Sequence, residues 1–112
     1  MSYHIERNPI DDQWKILDNE GFPFGSYDTK EDAEASLEDL IIYDRLEDIC
    51  PPKIIDDMLY TDVVIDCTVA FNILGLKIEN LEKLVMDVYK SDVHELYDCV
   101  YHVYLKSKEV AS

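Results

Sequence analysis

Alternation of apolar and polar residues predicts β-structure in the first part of the chain. Tyr3 and Ile5 alternate with polar neighbours, and Trp14 and Ile16 repeat the pattern. Clusters of Asp, Asn, Pro and Gly separate these two runs from each other and from a third apolar run at 22–25. Such runs between turn clusters are typical of antiparallel strands. We therefore expect an N-terminal antiparallel hairpin or three-stranded sheet.

Helical periodicity replaces this alternation after Asp28 and Thr29, either of which is a residue type that caps helices well. The next apolar residues recur three or four positions apart, which places them on one face of a helix: Ala33, Leu37, Leu40 and Ile41. This helix must end before Pro51, because proline disfavours helical backbone in the residue that precedes it. Pro51 or Pro52 is expected to start a short second helix, which carries Ile54, Ile55, Met58 and Leu59.

The segment 61–74 fits two interpretations. As a strand it presents alternate apolar residues on one face, and as a helix it has an apolar stripe that includes Val63, Cys67 and Phe71. Period alone does not distinguish the two for so short an apolar run. Its helical flanks and Gly75, which suits a helix C-cap, favour the helix. The strand remains the alternative.

Two further helices are expected in the last third of the chain. The first has an apolar face of Leu81, Leu84, Val85 and Val88, and the second of Val93, Leu96, Tyr97, Val100 and Tyr104. Ser91 or Asp92 is expected to begin the second helix, and Asp92 with Glu95 fits a capping box. The sequence thus predicts a single α+β domain over 1–112, an N-terminal antiparallel hairpin or three-stranded sheet followed by four to five helices.

Charge narrows the functional classes. The chain has 25 acidic and 10 basic residues, a net charge of −15. Direct binding to nucleic acid or to an anionic membrane needs cationic surface, so neither is expected. The three cysteines are widely spaced and form no CxxC pair, which favours a reducing compartment. The N-terminus has no secretory signal pattern, and we expect a soluble cytoplasmic protein.

Several carboxylates are expected to contact a partner. On the helix after Thr29, Glu31, Glu34 and Glu38 are spaced i, i+3 and i+7, which makes a row of neighbouring side chains. The remaining candidates flank or follow this row: Asp39, Asp44, Glu47, Asp48, Asp56 and Asp57. A carboxylate row on a rigid helix can imitate a phosphate backbone and occupy a Lys/Arg groove. The alternative is that these acids form an ordinary solvated face.

Candidate catalytic and metal-binding residues are sparse. His94, Asp98 and His102 are spaced i, i+4 and i+8, with Cys99 beside them, but no HExxH motif or second ligand pair accompanies them. Asp98 and Cys99 would point about 100° apart on a helix, and no nucleophile elbow is present. We expect neither enzymatic activity nor a cofactor.

The sequence therefore favours a binding protein with a basic partner, most simply a nucleic-acid-handling protein. The first hypothesis is an inhibitor or nucleic-acid mimic of the phage or mobile-element counter-defence type, such as an anti-restriction or anti-CRISPR protein. An immunity protein or antitoxin against a basic nuclease toxin is the second hypothesis. The third is an oligomeric adaptor module whose acidic surface is merely solvated.

Overall fold

The computed structural model describes residues 2–89, 91 and 93–111, with side chains described as far as Glu109. Within these residues a three-stranded antiparallel sheet precedes four α-helices, so the α+β class is confirmed. The chain divides into two compact units, Met1–Asp44 and Arg45–Ser112. The expectation of one domain over 1–112 stays a prediction.

The first unit contains the sheet. Its strands β1 (Tyr3–Arg7), β2 (Trp14–Asp18) and β3 (Pro23–Tyr27) lie in sequence order, and both pairings are antiparallel. Ile16 at the centre of β2 lies opposite Ile5 and Gly25 and is 1% exposed. A Cβ atom at Gly25 would lie 2.6 Å from the hydroxyl oxygen of Tyr27, so a larger residue there would require the Tyr27 side chain to move.

Helix α1 (Lys30–Ile49) begins in the first unit and continues into the second. Thr29 caps it as predicted, since its hydroxyl oxygen accepts a hydrogen bond from the backbone N–H of Asp32 at 3.2 Å. Ala33 is fully buried, but Ile41 is 43% exposed because it lies at the edge of the predicted apolar stripe. The helix ends before Pro51, as expected.

The second unit is helical. It contains a short 3-10 helix (Ile55–Asp57) and the helices α2 (Tyr60–Leu74), α3 (Leu81–Tyr89) and α4 (Leu96–Ala111). Among the residues described here, its buried apolar side chains come from all of these elements and from the last turns of α1. The helical interpretation of 61–74 is confirmed, and Gly75 ends α2 in left-handed backbone with a φ of 73°.

Two predicted boundaries are wrong. The short helix after Pro52 is only the single 3-10 turn Ile55–Asp57. The last helix begins at Leu96, later than expected, because the chain before it pairs with an earlier segment. The N–H of Ile55 donates to the carbonyl of His94 at 2.8 Å, and the N–H of Leu96 donates to the carbonyl of Lys53 at 3.0 Å. This pairing holds 93–95 extended. The predicted capping box stays a prediction, because Asp92 lies outside the described residues.

Over the part of the chain that the structure describes, no helix combines the length and the apolar composition needed to cross a membrane.

Candidate functional site

The first candidate surface is the carboxylate row, defined as Glu31, Glu34 and Glu38 on the first turns of α1. All three side chains are exposed. Lys30 approaches the row, with 3.9 Å between its Nζ and Oε1 of Glu34. Acids near a helix N-terminus interact favourably with the helix dipole. Of the row, only Glu31 lies in the first turn, where this interaction acts, so the dipole does not offset the repulsion between Glu34 and Glu38.

Two of the predicted acids near the row are partly buried. Asp44 accepts a hydrogen bond from the hydroxyl of Tyr3, which connects α1 to β1 within the first unit. Asp39 is half-buried and already interacts with other groups. These two side chains are therefore less accessible to a partner than the three exposed glutamates are.

The remaining predicted acids belong to the second unit, where they lie on two different elements. Glu47 and Asp48 are exposed on the last turns of α1. Asp56 and Asp57 are exposed on the 3-10 turn, and 3.8 Å separates Oδ2 of Asp56 from Nδ1 of His94.

A groove in the second unit contains Asp57 together with Asp62 and Asp66. It has a volume of about 450 Å³ and lies where the 3-10 turn meets the first turns of α2. Its lining combines aliphatic side chains with charged ones: Lys53, Ile54, Asp57, Met58, Asp62, Ile65 and Asp66. Nζ of Lys53 lies 3.1 Å from Oδ2 of Asp66, which leaves an excess of negative charge around the groove.

The histidine candidates are not brought together. His94 lies in the extended segment before α4, so it does not continue the helical spacing of Asp98 and His102. Nδ1 of His102 hydrogen bonds with the backbone carbonyl of Asp98 at 2.8 Å. In the described part of the chain, no three His, Cys, Asp or Glu side chains form a group that could hold a metal ion.

The three cysteines, far apart in sequence, are neighbours in the second unit. Cys67 and Cys99 are fully buried and hydrogen bonded to each other, and this bond together with burial raises the pKa of the Cys67 thiol. Burial raises the pKa of Cys50 to about 11, and the charges of Asp66 and Cys99 add to this effect. A nucleophilic cysteine needs a lowered pKa and access. Cys50 and Cys67 have the opposite character.

Sequence reasoning missed an exposed apolar surface on α2. Ile65, Val69 and Ile73 are each more than half exposed. At about 100° per residue they lie on the side of the helix opposite Val63 and Cys67, which are buried. The helical interpretation of 61–74 already contained this second stripe, as apolar residues at i, i+4 and i+8 outside the core-facing one.

Searches of protein-family models, curated proteins and solved structures found nothing that matches this chain.

Proposed function

We propose that this chain is a binding protein that engages a basic, nucleic-acid-handling protein through its carboxylate row. The observation that carries the proposal is the exposure of Glu31, Glu34 and Glu38 on one ordered helix that also begins with a capped turn. A row held by backbone hydrogen bonds loses little conformational freedom on binding. Complementary charge of this kind accelerates association and selects basic partners.

The spacing of the carboxylates in the row can be compared with the spacing of phosphates in nucleic acids. Glu31 and Glu38 are seven steps of 1.5 Å apart, so neighbouring carboxylates of the row are about 5 Å apart on average along the helix axis. A single nucleic-acid strand carries one charge per about 3.4 Å, and duplex DNA one per about 1.7 Å. The row is therefore closer to one phosphate backbone than to a duplex. We infer that the target is a Lys/Arg groove that holds a single strand or one side of a duplex.

Counter-defence activity of the anti-restriction or anti-CRISPR type is the finer form of this proposal, because those targets have such grooves. An immunity protein or antitoxin would use the same row on a nuclease toxin, and the identity of the captured protein separates these cases. Binding is favoured over catalysis because His94 and His102 do not converge with Cys99, whose side chain is buried against Cys67.

The test is capture from a bacterial lysate by the immobilised chain, with identification of the captured proteins by mass spectrometry. We expect nucleic-acid-binding proteins that are released by about 0.5 M NaCl, at which charges are screened within a few ångströms. Competing single-stranded DNA should release the same proteins. Capture that resists both salt and DNA would contradict the proposal.

Charge reversal supplies the matched control. The variant Glu31→Lys, Glu34→Lys, Glu38→Lys should weaken binding of the captured protein by about tenfold or more. The control Glu79→Lys, Glu82→Lys, Asp87→Lys makes the same change in net charge on exposed positions of the second unit. If both variants weaken binding equally, net charge rather than the row is responsible.

An oligomeric adaptor is the second candidate function, and the exposed apolar side chains of the first unit, Ile10 and Phe22, favour it. In that case the chain should associate through apolar contacts, and charge reversal of the row should leave its interactions unchanged. Sedimentation of the purified chain across a salt series distinguishes the two candidates.

A further inference from the structure

The outward side of α2 is an apolar ridge, defined as Ile65, Val69 and Ile73. These side chains are 58%, 51% and 52% exposed. Their spacing of four residues aligns them over about 12 Å of helix axis. The other side of α2 is buried in the core of the second unit. A surface helix normally has one apolar face, which packs on the core, and a polar face opposite it. The ridge is a second apolar face, so it has the character of a contact surface.

The groove described above continues the ridge at the N-terminal end of α2. Ile65 belongs to both, and Ile54, which is 50% exposed, adds aliphatic surface beside it. The carboxylates of Asp57 and Asp62 lie at the same place. Ridge and groove together therefore offer an apolar floor with negative charge at one end.

The borders of the ridge differ in chemistry. Helical periodicity places Asp62 and Asp66 along one side of it. Asp66 is paired with Lys53, so Asp62 supplies the uncompensated negative charge on this side. The other side is uncharged and is bordered by Thr61, Thr68 and Asn72. A partner that covers the ridge meets carboxylates along one edge only, near the beginning of the helix. This asymmetry specifies both the charge and the orientation of that partner.

We propose that the ridge and groove bind an amphipathic helix of another protein, whose apolar face is bordered on one side by Lys or Arg. Helix-in-groove recognition uses such apolar residues three and four positions apart. A second copy of this chain is a poor occupant, because it would bring its own Asp62 and Asp66 and a net charge of −15 to the contact. The inference goes beyond the carboxylate row and does not depend on it.

The test uses a synthetic peptide of about 18 residues, or five helical turns, with Leu on one face and Lys on the other. In a matched peptide Glu replaces every Lys. We expect the Leu/Lys peptide to bind the chain by fluorescence anisotropy and the Leu/Glu peptide not to bind. The ridge variant Ile65→Ser, Val69→Ser, Ile73→Ser should weaken binding by about tenfold or more.

Two matched variants complete the design. The control Ile10→Ser, Phe22→Ser changes apolar side chains that are 93% and 63% exposed in the first unit, and it should bind as the wild type does. The variant Asp57→Asn, Asp62→Asn should bind more weakly and with a smaller salt dependence. Circular dichroism melting shows that each variant is folded.

Five results would overturn the proposal. The first four are no binding of the Leu/Lys peptide, equal binding of the Leu/Glu peptide, unchanged binding by the ridge variant, and a wild-type dimer that the ridge variant disperses. The fifth concerns the carboxylate row. The row variant Glu31→Lys, Glu34→Lys, Glu38→Lys should retain the peptide. A loss there as large as in the ridge variant would mean general attraction to an acidic chain, and would also contradict the inference. Failure of the carboxylate row in lysate capture leaves these outcomes unaffected.

Discussion

Among the described residues, the first unit buries two apolar side chains, Ile16 and Ala33, whereas the second unit buries fifteen. The two units also differ in net charge. Residues 1–44 contain 12 acidic and 3 basic residues, a net charge of −9, and the longer stretch 45–112 contains 13 and 7, a net charge of −6. The first unit therefore has the smaller core and the higher density of negative charge.

The two candidate binding surfaces are correspondingly supported by different interactions. The carboxylate row lies on a helix start supported by local devices, the Thr29 cap and the helix dipole. The apolar ridge lies on a helix whose opposite side is fixed by packing in a large core. Burial is the dominant favourable term in folding. We therefore expect substitutions on the surface of the second unit to cost a smaller fraction of its stability than substitutions in the first unit.

The largest effect is expected from the core of the second unit. Leu96→Ala should lower the free energy of unfolding by about 3–5 kcal/mol, because Leu96 is fully buried and its truncation leaves a cavity. Urea unfolding followed by helical circular dichroism measures this loss. Leu59→Ala, at a position 70% exposed, is the control and should cost less than about 0.5 kcal/mol. Equal losses would contradict the assignment of the core.

The reactivity of the three thiols of the second unit measures how far solvent and reagents reach them. With its pKa raised from 9.0 to about 11, Cys50 should react with iodoacetamide at pH 8 about a hundredfold more slowly than a free thiol, because only the thiolate reacts. The rate should rise with pH up to about 11, and Cys67 and Cys99 should stay unlabelled in the folded chain.

The same shift has a consequence for stability. The folded state retains the Cys50 proton more tightly than the unfolded chain does. Stability contributed by this thiol is present below pH 9 and is lost as the pH rises through about 11.

The labelling rates of the cysteines are measured by mass spectrometry of the labelled peptides, with glutathione as the reference thiol. Labelling of Cys50 as fast as glutathione would contradict the raised pKa of this thiol.

The core of the first unit is tested by Ile16→Ala, for which we expect a loss of about 2 kcal/mol. Trp14 is the only tryptophan of the chain and lies beside Ile16 on β2, so its fluorescence reports this unit. Ile10→Ala, at a position 93% exposed, is the matched control. We expect Ile16→Ala to shift the fluorescence transition more than the helical circular dichroism. Coincident shifts in both signals would show one cooperative domain over 1–112.

The smallest effect is expected at the helix start that supports the carboxylate row. Thr29→Ala should cost about 1 kcal/mol, because the N–H of Asp32 loses its side-chain acceptor. Thr29→Ser retains a hydroxyl and should restore most of the stability. Hydrogen exchange of the first turn of α1 should be faster in the alanine variant only. Unchanged exchange would mean that the cap contributes nothing to the row.

Local chemistry explains which elements could be predicted. The turn clusters delimit the strands, Thr29 begins α1, and Gly75 ends α2 with a φ of 73°. Each of these features depends on a backbone preference or a side chain only a few residues away. The start of α4 was predicted too early because the competing interaction, between Lys53 and Leu96, joins segments more than forty residues apart.

The candidate sites likewise contain some features that neighbouring residues determine and others that depend on distant contacts. The exposure of the carboxylate row follows from helical spacing alone, whereas the surroundings of Asp44 depend on the distant hydroxyl of Tyr3. The proximity of the three cysteines likewise cannot be predicted from neighbouring residues. Cys50 directly follows α1, whereas Cys67 lies in α2 and Cys99 in α4.

The sequence alone determined the α+β class, the helical period of α1 and the excess of carboxylate, because these are properties of composition and of neighbours along the chain. Only the tertiary structure decided that the second apolar stripe of α2, Ile65, Val69 and Ile73, stays exposed. The sequence placed Val63, Cys67 and Phe71 together on one side of that helix. Whether the opposite side is also covered depends on the elements that pack against it, and these come from distant parts of the chain.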